Sequence, residues 1–382
     1  MNLFQFCYGI IHWLVDLINN IWYWLGDHLP WVFGDFFRDV GDFAKSDAHI
    51  TVMAIIVEVL IIIIIALVNV LNFIWLDRKF MGRMFDFYGP YYVGYRIGGW
   101  LQNLADGIKL FVKEIITPAK ADRIGFFLGP VIFVGSSFAA LVTIPLGWDF
   151  YIGTNAGPTS PGTFPGVPAS ALIAFMFFAI APFSILISGW SSNNKYTLIG
   201  GMRSAAQMMS YEIPMLLCVA SVILLAGSFS FHGIIAAQHE IWYAIPLALG
   251  FIVFLVCLVA EVEIQPFDLP EAEAELVEGW TTEYCGMRFG LFMMTSYLRG
   301  YIGGALAVAL FLGGWQGPGF IPDPIWFLLK AYIVFVIVEW MRWSVPRVRV
   351  DQILNVGWKR LLPLAFLNLF IAALLKVSGV LD

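Results

Sequence analysis

The sequence predicts an all-α integral membrane protein, with eight transmembrane helices following an amphipathic N-terminal extension. Three observations carry this. Of 382 residues, 60% are hydrophobic and only 13% charged, about half the ~25% charged of an ordinary soluble domain. Apolar windows close to the ~20 residues that a bilayer core requires recur along the chain. Connections rich in Lys and Arg alternate with connections that carry neither, the asymmetry that sets orientation in a membrane.

Residues 1–50 form the extension. Gln5, His12, Asp16, Asn19 and Asp27 recur at helical spacing opposite Trp13, Ile21, Trp22 and Trp24, the pattern of a helix lying in the interface; a further span is the alternative. "MNLFQF" lacks the basic start of a cleavable signal peptide, and no small-residue cleavage site follows. The membrane domain covers 51–382. Its apolar windows fall near 51–76, 124–146, 168–189 and 205–228, then near 241–260, 289–313, 324–343 and 359–379. Eight crossings leave both ends of the domain on one side.

The connection 77–123 holds Arg78, Lys79, Arg83, Arg96, Lys109, Lys113, Lys120 and Arg123, and Arg347 and Arg349 follow the seventh window. The connections 147–167, 229–240 and 314–323 hold no Lys or Arg. The odd-numbered connections therefore face the cytoplasm of a multi-pass protein of the cell membrane. The outer loops, such as "GTNAGPTSPGTFPGVP", are rich in the Gly and Pro of short irregular connections.

Composition also excludes chemistry. Cys7, Cys218, Cys257 and Cys285 form no CxxC pair and keep no ligand spacing with the five histidines, so no iron–sulfur cluster, haem or structural zinc is expected in this chain. No Gly-rich phosphate loop follows a predicted strand. The net charge of −6 says little about partners by itself, and no nucleic-acid partner is expected.

Polar residues inside or beside the apolar windows are Glu58, Arg203, Gln207, Glu212 and Glu339. Each costs at least about 2.5 kcal/mol if it faces lipid at the bilayer centre, so each needs an inward partner or a watered path. Arg203, Gln207 and Tyr211 recur every four residues and form one helical stripe, with Glu212 one position beyond. Gly200, Gly201, Ser204, Ala205 and Ala206 allow close helix packing beside it. A lone structural Arg–Glu pair and a buried polar path both fit.

The densest acid lies in "EVEIQPFDLPEAEAELVEGW", residues 261–280, with seven carboxylates and no basic residue. Pro270 suits the first turn of a helix and Asp268 its cap, which puts Glu271, Glu275 and Glu278 on one face and Glu273 on another. Like charges so spaced oppose the helix by some tenths of a kcal/mol per pair, roughly, and a solvated acidic loop is one reading. The other folds the loop back into the membrane domain, where repulsion and desolvation raise carboxylate pKa values toward neutrality and the coupled acids pass protons along a row.

"PFDLPEAEAELVEGW" followed by "TTEYCGMRFGLF" resembles the H-type membrane subunit that forms the quinone site at the heel of respiratory complex I, including the archaeal deazaflavin-dependent relatives that serve methanophenazine. Further blocks run in that family's order: "GGWLQNLADGIKLFVKEIITP", "GWSSNNKYTLIGGMRSAAQMMSYE", "WMRWSVPRVRVDQIL" and "GWKRLLPLAFLN". The resemblance covers 51–382 almost end to end. It implies an eight-helix subunit without a redox centre, beneath soluble subunits that carry iron–sulfur clusters and dock on its cytoplasmic loops, and beside antiporter-like and small membrane subunits. It implies a diffusible quinone or methanophenazine acceptor. Carried over by position, the acids of the proton path are Glu212, Glu261, Asp268, Glu271, Glu273 and Glu275. The acceptor chamber takes Asp77, Arg78, Phe87 and Phe267, with Asp106, Lys109 and Arg342 as polar supports, while Arg347 and Arg349 dock the soluble arm.

The chain departs from that pattern. "EVEIQPFD" stands where the family usually reads "ETNRxPFD", so Glu263 replaces a neutral polar residue and Ile264 a basic one; Phe87 replaces an Arg, and Ser296 stands where a Glu is frequent. Fewer cations near the acceptor favour a less polar headgroup, and Phe85, Phe87, Tyr88, Tyr91 and Tyr92 suit stacking on a flat tricyclic ring such as a phenazine. Two other classes stay open. One is the homologous membrane subunit of an energy-converting hydrogenase, and the other is a secondary transporter, although no repeated half is visible.

Overall fold

The computed structural model describes residues 47–94, 98–145, 169–317 and 321–378. Residues 1–46 of the extension, the whole of the loop 147–167 and the side chain of Glu58 lie outside the described residues. All regular structure among the described residues is helical.

The first helix among the described residues, α1 (Asp47–Met84), outruns its apolar window and carries Asp77, Arg78, Lys79 and Arg83 beyond it. The amphipathic α2 (Leu101–Val112) packs across α1. Asp122 caps α3 (Arg123–Val142) by accepting from the Ile124 amide at 3.2 Å. The third window holds two helices, α4 (Ser170–Phe178) and α5 (Ala181–Ser191), because Pro182 brings no N–H to continue the ladder and suits a new first turn. Asn194 caps the long α6 (Lys195–Ala226), which ends at Gly227 in the left-handed region.

A short α7 (Phe231–Ala237) precedes α8 (Ala248–Glu261). The connection that follows contains one turn of helix, α9 (Glu273–Leu276), and a 3₁₀ turn at Gly279–Thr281. The chain closes with α10 (Met287–Phe311), α11 (Asp323–Ser344), α12 (Val350–Asn355), a π turn at Val356–Leu361 and α13 (Leu362–Val377).

Five stretches among the described residues are long and apolar enough to cross a membrane: Arg123–Val142, Ser170–Ser191, Lys195–Ala226, Asp323–Ser344 and Val350–Val377. The apolar α8 has 14 residues, about 21 Å of helical rise against a core of about 30 Å. From Leu298 to Phe311 every residue of α10 is buried, as befits a helix apolar on all sides. It is the central post, in contact with α1, α3, α8 and α11.

Candidate functional site

The connection between α8 and α10 folds back against α6. Gln207 holds it by donating from Nε2 to the carbonyls of Ala260 and Phe267, both at 2.9 Å. Tyr211 lies against the Phe267 ring, centroids 5.3 Å apart, and donates to the Ile353 carbonyl at 3.0 Å. Arg203 pairs with Glu275 at 2.7 Å. The stripe expected on α6 is thus real, but two of its three members clamp backbone carbonyls. The approach is close enough that a Cβ on Gly200 would stand 2.6 Å from the Trp280 amide nitrogen.

The helix expected from Pro270 does not form beyond the single turn α9. Val277 and Gly279 take φ of +69° and +59°, and at Gly279 the chain passes so near the Pro270 carbonyl that only glycine fits. The acids therefore do not share one helical face. Glu271 turns inward, while Glu275 and Glu278 are exposed, an arrangement that also separates the like charges a continuous helix would stack. The side chain of Glu273 lies outside the described residues.

Inside this fold is a cavity of about 120 Å³, lined by Glu263, Asp268 and Glu271 from the connection, Ser296 and Tyr297 from α10, and Arg342 from α11. A second cavity of about 420 Å³ shares Asp268 and Glu271 with it and adds Glu278 and Arg347. Burial, then the nearby Glu263 and Asp268, push the Glu271 carboxyl up to about 8. Burial takes Glu263 up to about 7, restrained first by the Ser204 hydroxyl that donates to it. Asp268 is raised by burial, although Arg347 at 2.9 Å opposes the shift. Burial thus lifts Glu263 and Glu271 toward neutrality.

Two charged nodes flank the cavity within the helices. At one, Asp77 accepts from Tyr297 Oη at 2.9 Å, Arg342 Nη1 at 3.0 Å and Trp343 Nε1 at 2.9 Å. Arg342 also reaches Glu339 at 3.4 Å, a fully buried residue whose Oε1 has no partner. At the other, Arg299 donates to Glu261 at 3.0 Å with both side chains 1% exposed. Its guanidinium also bonds the Phe178 carbonyl at 3.1 Å and lies 4.1 Å from the Phe178 ring centre. The stacked cation is thereby compensated on two of its nitrogens and one ring face, while its buried Nε has no partner.

The residues expected to line an acceptor chamber separate into groups. Asp77 and Arg342 stand together beside the acid cavity. Arg78 pairs with Asp106 at 2.6 Å and with Asn103 at 3.2 Å, joining α1 to α2. Lys109 is exposed on α2. Phe87, 72% exposed, stands on an open cavity of about 840 Å³ shared with Lys79, Arg83, Tyr88 and Tyr91, so cations remain where Phe87 replaces one. Phe267 lies buried against Tyr211, away from that cavity. Glu212 is half-buried on α6.

Sequence reasoning did not assign Arg299, Tyr297 or Glu263 to the site. Arg299 had a signal, since it is the sole charge in the window from 289 to 313. Tyr297 had none, because its role depends on Asp77, 220 positions away. Among the described residues, no group of three His, Cys, Asp or Glu side chains is placed to hold a metal ion.

Residues 57–373 match the family described as NADH dehydrogenase. The chain is 38% identical over 332 residues to a protein of Geobacter metallireducens named as an H subunit, the second so numbered, of NADH-quinone oxidoreductase, covering 85% of this chain and 95% of that one. It is 43% identical over 303 residues to the H subunit of NADH-quinone oxidoreductase from Bacillus mycoides, covering 78% and 87%. The H subunit from Bacillus cereus matches at the same identity over the same length.

Proposed function

The chain belongs to the NADH dehydrogenase family, that of the H-type membrane subunit of complex I, and from this premise we propose how it works within such an enzyme. It is a membrane subunit of a proton-translocating oxidoreductase. It contributes the floor of the acceptor chamber and the first section of a carboxylate proton path, and it holds no redox centre of its own. The observation that carries this reading is the polar cavity lined by Glu263, Asp268, Glu271 and Arg342.

Glu271 and Asp268 begin the path, Glu261 and Glu212 continue it into the bilayer, and Glu275 stands at its mouth; Glu273, expected on the same path, has its side chain outside the described residues. The open cavity around Phe87, Lys79, Arg83 and Tyr91 is the chamber floor, stiffened by the Arg78–Asp106 pair and by Asp77–Arg342. Reduction of the acceptor adds negative charge beside the acids. Proton uptake follows, and the altered field shifts the coupled carboxyls in turn.

All eight apolar windows cross the membrane in this reading, with the connections rich in Lys and Arg on the cytoplasmic side. Iron–sulfur subunits dock on those connections, with Arg347 and Arg349 among the docking residues, and antiporter-like subunits abut the helices. The acceptor is a quinone, which the names of the bacterial relatives support. Faster turnover with phenazine than with quinone analogues would reverse that assignment and favour the phenazine expected from Phe87 and Ile264.

Extraction from native membranes in mild detergent tests the whole reading. Mass spectrometry should find cluster-bearing soluble subunits and antiporter-like membrane subunits in the complex. Recovery of the chain alone or as a homo-oligomer would overturn the reading and leave the buried acids to a transporter.

A further inference from the structure

Glu263 occupies a place where helix termination asks for a different residue. It lies just past the end of α8 with φ of +57°, where its amide donates to the Ala260 carbonyl and that of Ile264 to the Val259 carbonyl. Glycine or asparagine is the ordinary occupant of that left-handed position, because a residue with a longer side chain adopts it at a cost. Nothing in the ending of α8 calls for a carboxylate.

What the carboxylate touches lies elsewhere. Glu263 is nine-tenths buried, accepts a hydrogen bond from Ser204 of α6, and lines the small cavity with Asp268, Glu271 and Ser296. Its charged surroundings are Asp268 and Arg299. Glu263 also belongs to the close electrostatic surroundings of both Glu261 and Glu271. The Oε2 of Glu261 is buried without a partner, an acceptor open to a proton.

We propose that Glu263 is the link through which a proton passes between Glu271, at the cavity, and the buried Glu261–Arg299 pair. The step moves one proton and no electron. Glu271 becomes a carboxylate as Glu263 is protonated, and Glu263 returns to a carboxylate as Glu261 takes the proton. Ser204 holds the side chain in place through both transfers. This inference rests on the proton-path reading above and adds to it a residue outside the set expected from the sequence.

The test compares whole complexes in inverted membrane vesicles, reading quinone reduction and proton uptake together, with assembly followed on native gels. Glu263→Gln keeps the shape and the Ser204 contact but cannot carry a proton, and Glu263→Asn suits the left-handed backbone even better. Both should lose roughly ten-fold or more of coupled turnover while assembling normally. Adding Ser296→Glu to Glu263→Gln returns a carboxylate to the same cavity from α10 and should restore turnover. Wild-type coupling in either single variant, or a loss that Ser296→Glu does not repair, would overturn the inference. Glu271→Gln separates the two levels of the argument. If it too is silent, the proton-path reading falls, whereas a loss in Glu271→Gln beside silent Glu263 variants leaves that reading standing without this link.

Discussion

Replacing Arg299 by Met should be among the most damaging single changes in the membrane domain. The guanidinium is 1% exposed, bonds Glu261 at 3.0 Å and the Phe178 carbonyl at 3.1 Å, and lies over the Phe178 ring at 4.1 Å. Methionine fills much of the same volume, so the loss is electrostatic. Removing one member of a buried pair strands the other charge and costs about 3–5 kcal/mol. Glu261 is such a charge, with one oxygen already unpartnered. Replacing both partners, Arg299→Met with Glu261→Met, removes the stranded charge and should cost less than about 1.5 kcal/mol, because a buried ion pair often gives way to apolar residues without loss. The double variant should therefore recover on the order of 2–3 kcal/mol of what Arg299→Met alone loses. Thermal denaturation of the detergent-extracted complex, followed by tryptophan fluorescence, measures it. The single variant should melt several degrees below the wild type, and the double variant should recover most of that. A single variant as stable as the wild type, or a double variant no better than the single, would refute the account of Arg299 as a buried counter-ion.

Other perturbations separate the cavity from its surroundings. Burial pushes the Glu271 carboxyl up to about 8 from an ordinary 4.5, so between those values the folded chain binds more protons than the unfolded chain. Its contribution is intact at low pH, below the ordinary carboxylate range, and is lost as pH rises through 8; the thermal midpoint should fall over that window, and fall less in Glu271→Gln. The half-exposed Arg203–Glu275 pair should contribute only about 0–1 kcal/mol, and Glu275→Gln should depress coupled turnover less than Glu271→Gln in the same vesicle assay. Lys330 donates to the carbonyls of Leu312, Gly314 and Gln316 at 2.6, 3.1 and 2.8 Å, so Lys330→Met should destabilise by about 3 kcal/mol, measured by the same melting curve. Gly200→Ala sets a methyl against the Trp280 backbone and should cost about 1–3 kcal/mol, visible as faster proteolysis of the 262–286 connection.

Much of the architecture was legible because it depends on local properties. Hydropathy placed apolar helices, five of them long enough to cross a membrane among the described residues, whereas the break at Pro182 and the cap at Asn194 emerged only in the structure. The four-residue spacing of Arg203, Gln207 and Tyr211 places all three against the folded-back connection or α12. The single-helix reading of "PEAEAELVEGW" failed because a helix there would have stacked its carboxylates, while tertiary packing offered Glu271 a cavity and forced a crossing at Gly279.

A charge in an apolar helix declares from the sequence that it needs a partner, because the cost of facing lipid depends on that residue alone. The identity of the partner depends on which helices meet. Asp77 draws Tyr297, Arg342 and Trp343 from more than two hundred positions away, and Arg299 on the central helix finds Glu261 at the end of α8. The membrane character and the acid-rich connection are set by composition and spacing along the chain. The grouping of Glu263, Asp268 and Glu271 around one cavity follows from long-range packing, in which α10 is buried from Leu298 to Phe311 and the 262–286 connection is pressed back onto α6.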